Sequence, residues 1–134
     1  MKETTQCLLI DDDKDDQEIF LLALEGTGLK LHCRVVASAT AALELLEQER
    51  TLPDIIFLDM NMPRMSGKEF LVMIKQYSKL SHIPIVMCST SADEKEVREC
   101  RSLGAADYII KSPSLTHFRN ILAQCLRQLM HSTS

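Results

Sequence analysis

The sequence has no surplus of basic residues. Fifteen Lys and Arg against nineteen Asp and Glu leave a formal net charge of −4, which argues against direct nucleic-acid binding, because that needs a basic face. No apolar run approaches the ~20 residues of a membrane span. The N-terminus, MKETTQ, runs straight into a short strand-like segment and lacks the apolar core of a signal peptide. These absences predict a cytoplasmic protein with no membrane partner. There is no CxxC either. The five cysteines, Cys7, Cys33, Cys88, Cys100 and Cys125, are odd in number and widely spaced, which disfavours zinc or a disulfide framework and predicts reduced, buried small hydrophobes. Internal repeats and low-complexity linkers are also lacking.

What remains is 134 residues, 46% hydrophobic and 25% charged. That is enough for one domain with a real core, spanning 1–134 with only 131–134 expected to fray. Short apolar runs alternate five times with helix-like segments. Strands are expected at 7–10, 31–37, 54–58, 85–88 and 106–110. Helices are expected at 14–25, 39–48, from Ser66 onward, 93–102 and 114–130. Ser66 and Glu69 have capping-box spacing, and Phe70, Ile74 and Tyr77 mark one face of the third helix. The last helix follows the i, i+3, i+4, i+7 pattern through Phe118, Ile121, Leu122, Cys125, Leu126 and Leu129. Strand alternating with helix implies parallel strands joined by right-handed crossovers, a (βα)5 α/β domain. The second strand alternates apolar and polar residues, which places it at an edge.

In a parallel sheet all the strands' carboxyl ends share one edge, where open α/β sheets bind ligands. Asp11, Asp12 and Asp13 follow the first apolar run. Asp59 follows Ile55-Ile56-Phe57-Leu58, Ser89 and Thr90 follow the fourth strand, and Lys111 follows the fifth. Four of five strands thus deliver a reactive or charged group to one edge. This set suits phosphoryl transfer to a carboxylate. Crowded carboxylates need a cation or protonation, and hard oxygen donors without His or Cys select Mg²⁺. Asp59 is the expected nucleophile, Lys111 the positive charge for the transferred group, and Ser89 a hydroxyl donor, with Thr90 as the alternative hydroxyl. Three consecutive aspartates leave the metal-binding pair at 11–12 or 12–13; 11 and 12 directly follow the apolar run. Asp13, Asp15 and Asp16 read as an acidic first helical turn favoured by the helix dipole.

LLIDDD at 8–13, LDMNMPRMSG at 58–67, VMCSTSA at 86–92 and GAADYIIK at 104–111 together resemble the receiver domain of two-component response regulators, in order and at the right spacings. The resemblance implies a flavodoxin-like fold with strand order 2-1-3-4-5 and helices on both faces. It implies that Asp59 accepts phosphate from a sensor histidine kinase or a histidine phosphotransfer protein. Mg²⁺ would be held by Asp12, Asp59 and the backbone carbonyl of Asn61, with Asp11 helping through water. It casts Ser89 and Tyr108 as switch residues that reshape the face of the fourth helix, fifth strand and fifth helix. The output would be contact with a downstream protein target or a phosphorelay. Asn61 and Ser91, two places beyond Asp59 and Ser89, should tune the lifetime of the phosphorylated state.

Homodimerisation through the last helix is possible in this reading, although core packing explains its apolar stripe. One departure stands out: the family usually places Pro directly after the lysine, and here the order is Lys111-Ser112-Pro113. Either a trans Lys111–Ser112 bond or a rebuilt loop with a cis Ser112–Pro113 bond is expected. Two competing functions follow from the same residues. One is a degenerate receiver that binds partners without phosphorylation. The other is an aspartyl-phosphate phosphatase, disfavoured because Asn61 stands where such enzymes want a second Asp. No separate enzymatic activity is expected.

Overall fold

The computed structural model describes residues 4–48 and 50–132. Ten elements alternate along the chain: β1 (Thr5–Ile10), α1 (Lys14–Glu25), β2 (Leu31–Val36), α2 (Ala39–Gln48), β3 (Ile55–Asp59), α3 (Gly67–Ile74), β4 (Ile85–Ser89), α4 (Glu94–Ser102), β5 (Asp107–Ile110) and α5 (Leu115–Ser132). The strands form one parallel sheet in the order β2-β1-β3-β4-β5, so β2 does lie at an edge.

Strands buried on both faces should read as continuous apolar runs, and β3 and β4 are buried at every residue. The side-chain period of two divides them between two cores. Leu8, Ile10, Ile56, Leu58, Ile85 and Met87 pack with α2, α3 and α4 through Ala42, Leu46, Phe70, Leu71, Ile74 and Cys100. Their neighbours Cys7, Leu9, Ile55, Phe57, Val86 and Cys88 pack with α1 and α5. On that second face Phe20 contacts Phe57 edge-on, with centroids 4.9 Å apart, and Phe118 at 5.9 Å.

The differences from the sequence expectation are at element ends. β1 begins two residues early because Thr5 and Gln6 pair with Leu31 and His32. α3 ends at Ile74, so Tyr77 lies past the helix and is exposed, not on its buried face. α5 continues through Ser132, past the expected end at 130, and residues 133–134 of the tail expected to fray lie outside those described. Among the described residues there is no cis peptide bond, so Lys111–Ser112 and Ser112–Pro113 are both trans and the cis alternative at Pro113 is ruled out. No helix of the described residues is long and apolar enough to cross a membrane.

The cysteines are free, four of them buried and Cys33 half-buried. Burial pushes the thiols of Cys7 and Cys125 up to about 12 and that of Cys33 to about 11. Thiolate, the nucleophilic form, is therefore scarce.

Candidate functional site at the carboxyl edge of the sheet

The period of two also sets which groups meet. Continuing the α1/α5-facing rows of β1 (Cys7, Leu9), β3 (Ile55, Phe57) and β5 (Ile109) by one more step leads to Asp11, Asp59 and Lys111. The ladder holds these ends in place. Asp11 N–H donates to the Val36 carbonyl (3.1 Å), Met60 N–H to Cys88 (3.0 Å) and Lys111 N–H to Ser89 (2.7 Å). The row ending in Met87 and Ser89 faces the opposite core, where Tyr108 also sits.

The Lys111 ammonium lies 2.9 Å from Asp59 Oδ1, 3.2 Å from Asp11 Oδ2 and 3.1 Å from Asp16 Oδ2. Asp59 and Asp11 are 5% and 2% exposed. Oxygens of Asp11, Asp12 and Asp59 all lie within 4.8 Å of one another, with Asp12 exposed at the mouth. Burial raises the carboxyl pKa of Asp59 and of Asp11, and Lys111 only partly opposes it. Burial disfavours the charge on Lys111 too, yet the bonds to Asp59 and the charge of Asp11 outweigh it and hold the ammonium firmly protonated. The asymmetry has a simple origin: three carboxylates pair with one ammonium and Asp12 adds its charge beside Asp59, so the lysine is fully compensated and the carboxylates are not. Three hard oxygen donors, two of them buried and under-neutralised, fit a divalent cation such as Mg²⁺.

The loop after β3 is tied tightly. Gly67 N–H donates to Met60 O (3.0 Å) and Met65 N–H to Pro63 O (2.8 Å), with Arg64 at a φ of 70°. The Asn61 backbone N–H faces the Asp59 carboxylate, and its side chain is exposed. Ser89 is buried, and its Oγ accepts from Ser91 N–H at 3.1 Å. Thr90 is exposed. The buried Tyr108 hydroxyl donates to the Ser91 carbonyl at 2.9 Å. Ser89 and Tyr108 thus meet through the backbone of one residue, Ser91.

Asp16 is the residue the sequence reading did not place here. Its sequence position reads as an acidic helical turn, and Asp13 does cap α1, accepting from Asp16 N–H. Helical Cβ atoms tilt toward the N-terminus, which carries the Asp16 carboxylate back over the sheet edge to Lys111. Gln17 adds a second tie, donating from Nε2 to the Asp11 carbonyl at 2.6 Å. The displaced proline leaves Lys111 inside the site. A cavity of about 270 Å³ opens beside it, bordered by Asp16, Ile19, Phe20, Pro113 and Phe118.

A parallel α/β sheet thus carries acidic residues and a lysine at its carboxyl edge, and similarity to known proteins agrees with the resemblance. Residues 7–123 match the response regulator receiver domain family, and the chain belongs to that family. It is 33% identical over 113 residues to the two-component response regulator ORR1 of Oryza sativa subsp. japonica, covering 80% of this chain and 49% of the relative; the chain thus spans about half that relative's length. Its fold matches the Mn(2+)-bound form of response regulator Rcp1 with a TM-score of 0.77 and 28% identity, covering 90% of each chain. It also matches the phosphorylated cyanobacterial phytochrome response regulator RcpA with a TM-score of 0.82 and 29% identity, covering 98% of this chain and 96% of that one.

Proposed function

We propose that this receiver domain takes a phosphoryl group on Asp59 from the phosphohistidine of a sensor histidine kinase or histidine phosphotransfer protein. The observation that carries the reading is the Lys111 ammonium 2.9 Å from Asp59 Oδ1, beside the three-aspartate cluster. Mg²⁺ is the fitting cation: Asp12, Asp59 and the Asn61 carbonyl would hold it, with Asp11 assisting, and when bound it would supply charge neutralisation for the anionic reactants. A carboxylate oxygen of Asp59 attacks phosphorus as the bond to the donor's imidazole nitrogen breaks, and the nitrogen leaves with its electron pair. Lys111 offers its charge, and Ser89 its hydroxyl proton, to the phosphoryl oxygens. The chemistry is mostly positioning and charge stabilisation.

Output runs through the core face that packs against α2, α3 and α4, where Tyr108 sits. When the Ser89 hydroxyl turns to the phosphoryl group, its bond from Ser91 N–H is put at stake, and Ser91 is also the acceptor for Tyr108. The face of α4, β5 and α5 changes with them and meets a downstream protein or passes the phosphate on. Asn61 and Ser91 flank the path of an attacking water and tune the lifetime.

Incubation with Mg²⁺ and a small-molecule phosphodonor, followed by intact mass measurement, should show an adduct of one phosphoryl mass. Asp59→Asn should abolish it, and chelation should suppress it. An undiminished adduct in the variant would rule out Asp59 as the acceptor.

A further inference from the structure

Resting on that reading, we propose that Asp16 is a positioning residue for the phosphoryl acceptor: it holds one N–H of Lys111 at rest and yields it to the incoming phosphoryl oxygen. An ammonium has three N–H donors. Here three carboxylates lie within reach of them, Asp59 at 2.9 Å, Asp16 at 3.1 Å and Asp11 at 3.2 Å. The donors are fully subscribed, so an added phosphoryl oxygen must displace one partner. Asp11 and Asp59 have side chains 3% and 7% exposed, whereas that of Asp16 is 41% exposed. Asp16 also borders the open cavity beside Lys111. Its carboxylate is the one most cheaply returned to water.

Asp16 lies outside the cluster of oxygens suited to a cation, which comprises Asp11, Asp12 and Asp59. Its action is therefore on the lysine. While it is paired, it draws Lys111 away from the donor's phosphoryl group, and it adds negative charge where an anionic donor must approach. The site is restrained at rest and relieved by the same group that activates it.

The test compares Asp16→Asn, Asp16→Glu and Asp15→Asn. Asp15 is a neighbouring acid in the same first turn of α1, so its variant removes the same charge without a Lys111 contact. Phosphorylation rate is measured against acetyl phosphate concentration, affinity against beryllofluoride with Mg²⁺, and the Lys111 side-chain Cε resonance in chelated protein by NMR. Asp16→Asn should lower the half-saturating donor concentration about two- to fivefold, the scale of a partly exposed ion pair. It should tighten beryllofluoride binding by a similar factor, leave the maximal rate unchanged and shift the Lys111 resonance. Asp16→Glu should restore wild-type values, and Asp15→Asn should match wild type.

A slower maximal rate in Asp16→Asn would make Asp16 an anchor and overturn the proposal. Equal effects in Asp15→Asn, or no effect in either variant, would overturn it as well. If wild-type protein takes neither phosphoryl group nor beryllofluoride, the function proposed above fails. The resonance then still decides the pairing: shifted by Asp16→Asn it upholds the contact, and unmoved it overturns it.

Discussion

At the scale of the residue, the site is a surplus of carboxylate around one cation. Asp59 and Asp11 have pKa values raised from the ordinary 3.8, with burial the largest cause. A raised value means that the folded state binds the proton more tightly than the unfolded chain. The stability this contributes is present below the ordinary carboxyl value and is lost as pH rises through the folded one. Asp59→Asn, which removes the charge and keeps an acceptor for Lys111, should therefore stabilise metal-free protein at pH 7. The gain should shrink toward pH 4, where the wild-type carboxyl protonates. Urea denaturation in chelator at both pH values measures it; a variant less stable at pH 7 would mean that the Lys111 bond outweighs burial. Much of this site was legible in the sequence. Asp59 and Asp11 are charges at the ends of buried apolar runs, and Lys111 ends a third. Asp16 was not legible, because its partner is 95 residues away and its contact depends on which face of the sheet α1 covers. The alternation of the strands holds that information, but only once the two cores have been assigned.

At the scale of the element, the loop from Asp59 to Gly67 and the start of α3 act as one piece. The capping box expected from Ser66 and Glu69 is present, with both reciprocal bonds formed. Gly67 does something the spacing did not reveal. A Cβ there would collide with the Asp59 carbonyl oxygen and sit 3.0 Å from Met60 Cα. Both are backbone atoms at the strand end that carries Asp59, and neither can swing aside. Gly67→Ala should therefore cost about 1–3 kcal/mol through overpacking and also slow phosphoryl uptake by moving Asp59. Ser66→Ala loses only the cap, about 1 kcal/mol, and should leave uptake near wild type. Denaturation midpoints and adduct formation rates measured on both variants separate the two effects; normal uptake in Gly67→Ala would show that the loop relaxes without moving the carboxylate. The element ends that went unread share a cause. Thr5 and Gln6 become strand through pairing with β2, and Tyr77 leaves α3 because the helix stops at Ile74. Neither is visible in local periodicity.

At the scale of the whole molecule, burial is distributed unevenly, and the unevenness matches the division of labour. β3 and β4 are buried throughout and carry Asp59 and Ser89. α4 buries only Cys100, whose Sγ lies 3.7 Å from Met60 Sδ. Its outer ties are two partly exposed ion pairs, Lys68 on α3 to Glu99 at 2.6 Å and Arg101 to Asp107 on β5 at 3.2 Å. A helix with so little apolar anchorage should open locally at a smaller free energy than global unfolding, while the strands that hold the reactive groups stay closed. That would allow the proposed output face to move without disturbing the Asp59 site. Native-state hydrogen exchange should show α4 amides exchanging well before those of β1, β3 and β4. Lys68→Gln, which removes one of the two ties, should speed exchange in α4 by about two- to fivefold, in line with a partly exposed pair, and leave β3 unchanged. If α4 instead exchanged in step with β4, the helix would belong to the same cooperative unit as the sheet. Any change at Asp59 would then have to reach the proposed output face by shifting the whole domain.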